Sequence, residues 1–115
     1  MRMWMIDPKL LCQQHLLGEH VEIHMMAGAA RRGKSLDGYL DGLLEPQSAR
    51  RRHQDLVREM KRRGFKHKSS LPKFKTKAGK KISLDLSVRD LCKRCPDCRA
   101  RFHLAYIKRF SLVDV

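Results

Sequence analysis

Between positions 50 and 81 the chain holds fourteen Lys and Arg side chains against two acids, Asp55 and Glu59, so this stretch carries +12 of a formal net charge of +14. That is a stripe, not a dispersed basic surface. A small fold gains nothing from such self-repulsion, whereas a polyanionic partner does, because each neutralised phosphate releases condensed counterions. Nucleic acid is the expected partner, with Arg51, Arg52, Arg62, Lys66, Lys73 and Lys75 as candidate contacts. Phe65 and Phe74 are interleaved with the charge, and an aromatic face there can stack on a base or ribose. Phe65, which follows a helix, is equally placed to anchor the core; Phe74, between Lys73 and Lys75, has less reason to be buried. A generally solvated basic surface is the plainer alternative. No long amphipathic apolar stripe accompanies the charge, which argues against a membrane surface.

At 115 residues and 42% hydrophobic content, residues 1–115 are expected to form a single domain with one modest core, working as a monomer. The start, Met1-Arg2-Met3-Trp4-Met5-Ile6-Asp7-Pro8, lacks the apolar run of a signal peptide, so an intracellular location is expected. In that compartment Cys12, Cys92, Cys95 and Cys98 are thiols or metal ligands rather than disulfides.

Asp7-Pro8 reads as a helix start, with Asp as cap and Pro at the first helical position, and the pattern stays helical to about Gly28. At roughly 100° per residue, Leu10, Leu17, Val21 and Met25 share one side, and His15, Glu19 and Glu22 share the opposite one. Gly18, mid-helix, suggests a close approach by something. Residues 35–44 form a short Gly-interrupted segment stopped by Pro46. Gln47 or Ser48 then opens a second helix running to Arg63 and closed by Gly64, with Leu56, Val57 and Met60 turned inward. Residues 66–81 read as a basic loop. Ser87-Val88-Arg89-Asp90 resembles a capping box and starts a third helical segment over 87–110, interrupted at Pro96. The expected fold is all-α: three main helices joined by long basic loops, with the N-terminal segment packed near the first helix.

Cys92-Lys93-Arg94-Cys95-Pro96-Asp97-Cys98 contains two overlapping C-x-x-C units, half of a tetrahedral zinc site. Cys92, Cys95 and Cys98 are the candidate ligands, with Cys12 or His103 as the fourth. Simple packing of the thiols in the third helix is the alternative.

One stretch resembles a known family. Gln14-His15-Leu16-Leu17-Gly18-Glu19-His20-Val21-Glu22, continuing without a gap through Gly28-Ala29-Ala30-Arg31-Arg32, is similar to the first helix of the phage-type pyrimidine-dimer DNA glycosylases. The block Asp55 to Phe65 resembles that family's next major helix; the resemblance covers about residues 1–65. It implies a base-excision enzyme acting on damaged double-stranded DNA, with both glycosylase and abasic-site lyase activity and no cofactor needed for catalysis. It implies the α-amine of Met1 as nucleophile and Glu22 as the essential carboxylate, with Arg2, Gln14, His15, Arg31 and Arg32 on the DNA side. The family removes its initiator Met because a small residue follows it. Here bulky Arg2 follows Met1 and the lead is one residue shorter, which brings a retained Met1 amine to the matching place.

The chemistry is consistent. An α-amine titrates at about 7.7–8.0, so a useful fraction is neutral and nucleophilic near neutral pH. A carboxylate on the adjacent helix can move the protons of β-elimination. Val21 and Met25 depart from the family, which places lesion-gripping arginines there. The competing reading is a non-enzymatic nucleic-acid-binding module with a structural zinc knuckle, which explains the charge and the cysteines but not the match at 14–32.

Overall fold

The first six residues thread into the core. Met3, Trp4 and Ile6 are buried, and the Met3 N–H donates to the Leu43 carbonyl at 2.8 Å. The computed structural model describes residues 1–113, with side chains through Tyr106, and among these there are helices and turns but no strand. The helices are α1 (Gln13–Arg31), α2 (Ala49–Arg62), α3 (Leu84–Arg94) and α4 (Pro96–Val113), with 3-10 turns at Pro8–Leu10, Asp37–Tyr39 and Pro46–Ser48. The all-α expectation holds. None of the described helices is long and apolar enough to cross a membrane.

Asp7 does cap a helical turn, accepting from the Lys9 N–H at 3.0 Å, but that turn ends at once. Leu11 and Cys12 are extended, and Cys12 becomes the N-cap of a separate α1. The inward face of α1 is not the side shared by Leu10, Leu17, Val21 and Met25. Val21 and Met25 are each 54% exposed, while Leu16, Glu19, His20, Ile23, Met26 and Ala27 are buried. Leu10 and Leu17 pack only partly against the core. A polar face can turn inward when partners wait for it, and α2, packed against α1, supplies them. Arg52 reaches Glu19, and His53 lies against His20.

α2 matches its expected span closely. Leu56 and Met60 are buried, Val57 is half-buried, and Gly64 ends the helix at φ 89°, in the left-handed region that glycine tolerates. Phe65 and Phe74 both pack partly against the core.

The third helical segment is two helices. Its cap is Ser83, whose hydroxyl accepts from the Leu86 N–H at 3.3 Å, and not Ser87, which is fully buried inside α3. Pro96 disfavours helical backbone at the residue before it. Cys95 is accordingly extended (φ −124°, ψ 108°), and the chain restarts as α4.

Residues 65–82 carry no regular structure, as expected, yet they are fastened at both ends. Arg50 donates to the carbonyls of Leu71 and Pro72 at 3.3 Å. Farther along, Gly79 exchanges two hydrogen bonds with the Gln47 amide (2.8 and 2.9 Å), and the Ile82 N–H donates to buried Glu45 at 2.8 Å. A Cβ on Gly79 would lie 2.1 Å from the Leu44 carbonyl oxygen, so only glycine fits that approach.

Candidate functional site

Arg2 folds back over the indole of Trp4, its guanidinium carbon 4.1 Å from the ring centroid, and pairs with Asp90 of α3 at 2.8 Å. The Arg2 hydrogen bond, against a small opposing effect of burial, holds the Asp90 carboxyl below its usual range. This brings Arg2 to one wall of an open cleft of roughly 540 Å³ whose other wall is α1, presenting Gln14, Gly18 and Glu22. Arg94, at the end of α3, completes it. The cleft therefore places a carboxylate opposite the N-terminal segment, with two guanidinium groups close by. No protein atom lies within 4 Å of where a Gly18 Cβ would sit. The approach that Gly18 permits is to the cleft, not to another helix.

Of the residues expected here, Arg2, Gln14, His15 and Glu22 line the same cleft; Met1, bonded to Arg2, packs partly against the core and is not among the lining residues. Val21 lines it too, exposing an apolar side chain at a position where the resembling family carries arginine. Trp4 and Arg94 were not singled out from the sequence. Arg94 lies between cysteines, far in sequence from the helix it faces.

A second groove, of roughly 620 Å³, collects part of the basic stripe. Arg31 at the end of α1 meets Arg50, Lys73 and Lys75 around the edge of Phe74. Arg32, Arg51 and Lys66 are exposed, and exposed Arg62 pairs with Glu59 at 2.6 Å. Arg52 departs from the expectation. It is 3% exposed, and its fork is taken up by Glu19 and the Ile6 carbonyl, which leaves it no free face for a phosphate. Arg63 is likewise turned inward, donating to Glu59 and to the carbonyls of Pro8 and Leu11. The stripe is thus partly structural cement.

The cysteine cluster forms with a different membership. Cys12, His15, Cys95 and Cys98 bring their ligand atoms within 4.8 Å of one another. Cys92 is not among them; it sits half-buried on the helix before the Pro96 break. His103 is exposed and also outside the group. The half-site that pairs with Cys95-x-x-Cys98 is Cys12-x-x-His15, and this C-x-x-H spacing was the signal available in the sequence. Each half opens a helix, Cys12 at the N-cap of α1 and Cys95 just before α4. The Cys12–Cys95 sulfurs are 3.8 Å apart, and His15 Nδ1 lies 3.2 Å from Cys12 and 3.6 Å from Cys98. Tetrahedral zinc with Zn–S of about 2.3 Å and Zn–N of about 2.0–2.1 Å separates its ligand atoms by about 3.5–3.8 Å. The residues present fit that ion. The Cys12 and Cys98 backbone N–H groups also point at sulfurs, at 3.3 and 3.4 Å. Burial pushes the Cys95 thiol up, but N–H groups of Cys98 and Asp97 and contact with Cys12 outweigh it and leave Cys95 below its ordinary value. A lowered thiol suits a metal ligand.

The family of pyrimidine dimer DNA glycosylases matches residues 1–73. No curated protein and no solved structure matches the chain. The matched region contains α1, α2 and Met1 to Ile6; α3 and α4, which carry Arg94, Cys95 and Cys98, lie beyond it.

Proposed function

The chain belongs to the pyrimidine dimer DNA glycosylase family, and on that premise we propose that it excises damaged pyrimidines from duplex DNA through the Met1 α-amine and then cleaves the strand as a lyase. The carrying observation is the cleft, in which Glu22 faces Arg2, the residue bonded to Met1. The neutral amine attacks C1′ of the damaged nucleotide. The glycosidic bond breaks, its electrons leave with the base, and the base takes up a proton. Ring opening then gives a protonated Schiff base between C1′ and the amine nitrogen. Glu22 removes the C2′ proton, the electrons form the C2′–C3′ double bond, and the 3′ phosphate departs. Water releases the sugar remnant and regenerates the amine.

Reaching C1′ requires the nucleotide to leave the stack. Arg2 and Arg94 supply positive charge at the cleft, and Val21 offers an apolar contact in place of the family's arginine. The groove at Arg31, Lys73 and Lys75 holds flanking phosphates by charge. Zinc on Cys12, His15, Cys95 and Cys98 would contribute structure, joining the α3–α4 hairpin to the start of α1; His15 then serves as a ligand and not as a DNA contact.

Borohydride trapping on duplex containing an ultraviolet photoproduct or an abasic site tests this reading. A covalent adduct on the peptide beginning at Met1 is expected, and an uncleaved N-terminal extension abolishes it by converting the amine to an amide. An adduct on a lysine, or full activity in the extended protein, overturns the mechanism. A non-enzymatic module with the same zinc knuckle would bind the DNA and give no adduct at all.

A further inference from the structure

On the opposite side of α1 from Glu22, four imidazoles converge. His20 and His24 stand one turn apart on α1, His53 comes from α2, and His67 comes from the first residues of the basic loop. The ring centroids of His20 lie 4.8–4.9 Å from those of the other three. One ligand nitrogen from each ring falls within 4.8 Å of the others. Such a group needs a reason, because imidazoles bury little apolar surface and repel one another when charged.

Hydrogen bonding supplies only part of one. The Nε2 atoms of His24 and His53 share a hydrogen bond at 3.1 Å, but the Nε2 atoms of His20 and His67 are buried with no hydrogen-bond partner. A buried ring nitrogen left unsatisfied is costly.

We propose that His20, His24, His53 and His67 form a second metal site, for a zinc-class divalent cation, distinct from the cysteine site. Four nitrogens at about 2.0–2.1 Å from a tetrahedral ion stand roughly 3.3 Å apart, so the His24–His53 pair at 3.1 Å is already at that spacing and the other rings close on the ion by at most about 1.5 Å. Among divalent ions, imidazole ligands suit zinc and its late first-row neighbours, not magnesium or calcium. An open cleft of roughly 460 Å³ reaches His53 and His67 from solvent and gives the ion a way in. The site joins α1 and α2 to the root of the basic loop, between Lys66 and Lys68. It therefore fixes where the stripe leaves the helical core. It also lies wholly within the family-matched part of the chain, whereas the cysteine site spans the boundary.

The test uses the full chain, purified without chelator and loaded with Zn²⁺, comparing wild type with His67→Gln, a loop position where the helices are untouched. The variant should contain one equivalent of zinc fewer, or hold one equivalent at least about tenfold more weakly in chelator competition, since even outer-shell changes cost that much. With Co²⁺ as the probe, the thiolate charge-transfer absorption of the cysteine site should stay unchanged while part of the visible ligand-field absorption is lost. Should His67→Gln fold poorly, His24→Gln, at the partly exposed edge of the cluster, gives the same reading. Zinc content and affinity identical to wild type in a folded variant overturn the proposal.

Discussion

Glu19 and Arg52 form a bidentate ion pair sealed between α1 and α2, with Nε 2.6 Å and Nη2 2.9 Å from the two carboxylate oxygens and each side chain at most 3% exposed. A third bond, Arg52 to the Ile6 carbonyl at 2.5 Å, hooks the N-terminal segment onto the pair. The pair thereby holds three segments in register: the stretch that begins with Met1, the helix that carries Glu22, and α2.

Arg52→Ala should destabilise the fold by about 3–5 kcal/mol, because it leaves a buried carboxylate without a counter-charge. Its neighbour Arg51, exposed, should change stability by less than about 0.5 kcal/mol on the same substitution. Urea unfolding of the two variants side by side makes the comparison. Equal midpoints would show that the pair contributes nothing to holding α1 against α2.

Glu22→Gln should leave binding to damaged duplex largely intact and reduce strand cleavage by at least about a hundredfold, the usual scale for a general acid or base. Single-turnover nicking alongside a binding titration separates the two effects. Wild-type nicking by the Gln variant would remove Glu22 from the mechanism.

Cys92→Ser and Cys98→Ser should behave oppositely. Cys92 stands apart from the cluster, so its variant should keep the cysteine-bound zinc and its melting temperature. Cys98 is fully buried at the site, so its loss should release the metal and loosen the α3–α4 hairpin. Thiolate charge transfer with Co²⁺ reports on this site alone. Retention of that absorption by Cys98→Ser would mean the ion is held elsewhere.

Binding should weaken steeply with salt. If roughly six to ten phosphates are contacted, raising salt from about 50 to about 200 mM should cost on the order of 10³–10⁵ in affinity. Replacing Lys73 and Lys75 together by Ala should lower the slope of log affinity against log salt by about two, whereas a stable replacement of Arg52 should not alter it. A slope unchanged by Lys73 and Lys75 would place the DNA on another face.

Glu59 sets part of the acid stability. The hydrogen bond from Arg62, reinforced by Arg63 against the opposing pull of burial, holds its carboxyl from 4.5 down to about 2. A depressed carboxylate contributes stability that is fully present above about pH 4.5 and is lost as pH falls toward 2, where the native state takes up its proton as well. Unfolding free energies measured near pH 5 and pH 3 should fall by roughly 1–3 kcal/mol more in wild type than in Glu59→Gln. Parallel losses in both proteins would assign the acid sensitivity to other groups.

Much of the local structure was legible in the chain because its signals are local. The second helix and its Gly64 stop, the unstructured basic stretch and the break at Pro96 follow from backbone sterics and capping, which involve a few neighbouring residues. The likeness of residues 14–32 to the glycosylase helix also lay in the order of residues, and the family match over residues 1–73 agrees with it.

What the chain could not reveal residue by residue is which polar groups find partners. Hydrophobicity alone turns Val21 and Met25 inward and Glu19 outward, yet the reverse holds, because Arg52 arrives from 33 positions farther along to satisfy Glu19, while His53 beside it stacks on buried His20. The same long-range pairing took Arg52 out of the basic stripe, put His15 in place of Cys92 beside the expected Cys12 in the cysteine cluster, and gathered four histidines from three segments. The sequence by itself determined the second helix and its stop, the break at Pro96, the density of positive charge and the family. Tertiary structure alone decided which face of α1 is buried and which ligands meet, since desolvating a charge or an imidazole is tolerated only where the fold brings its partner within bonding distance.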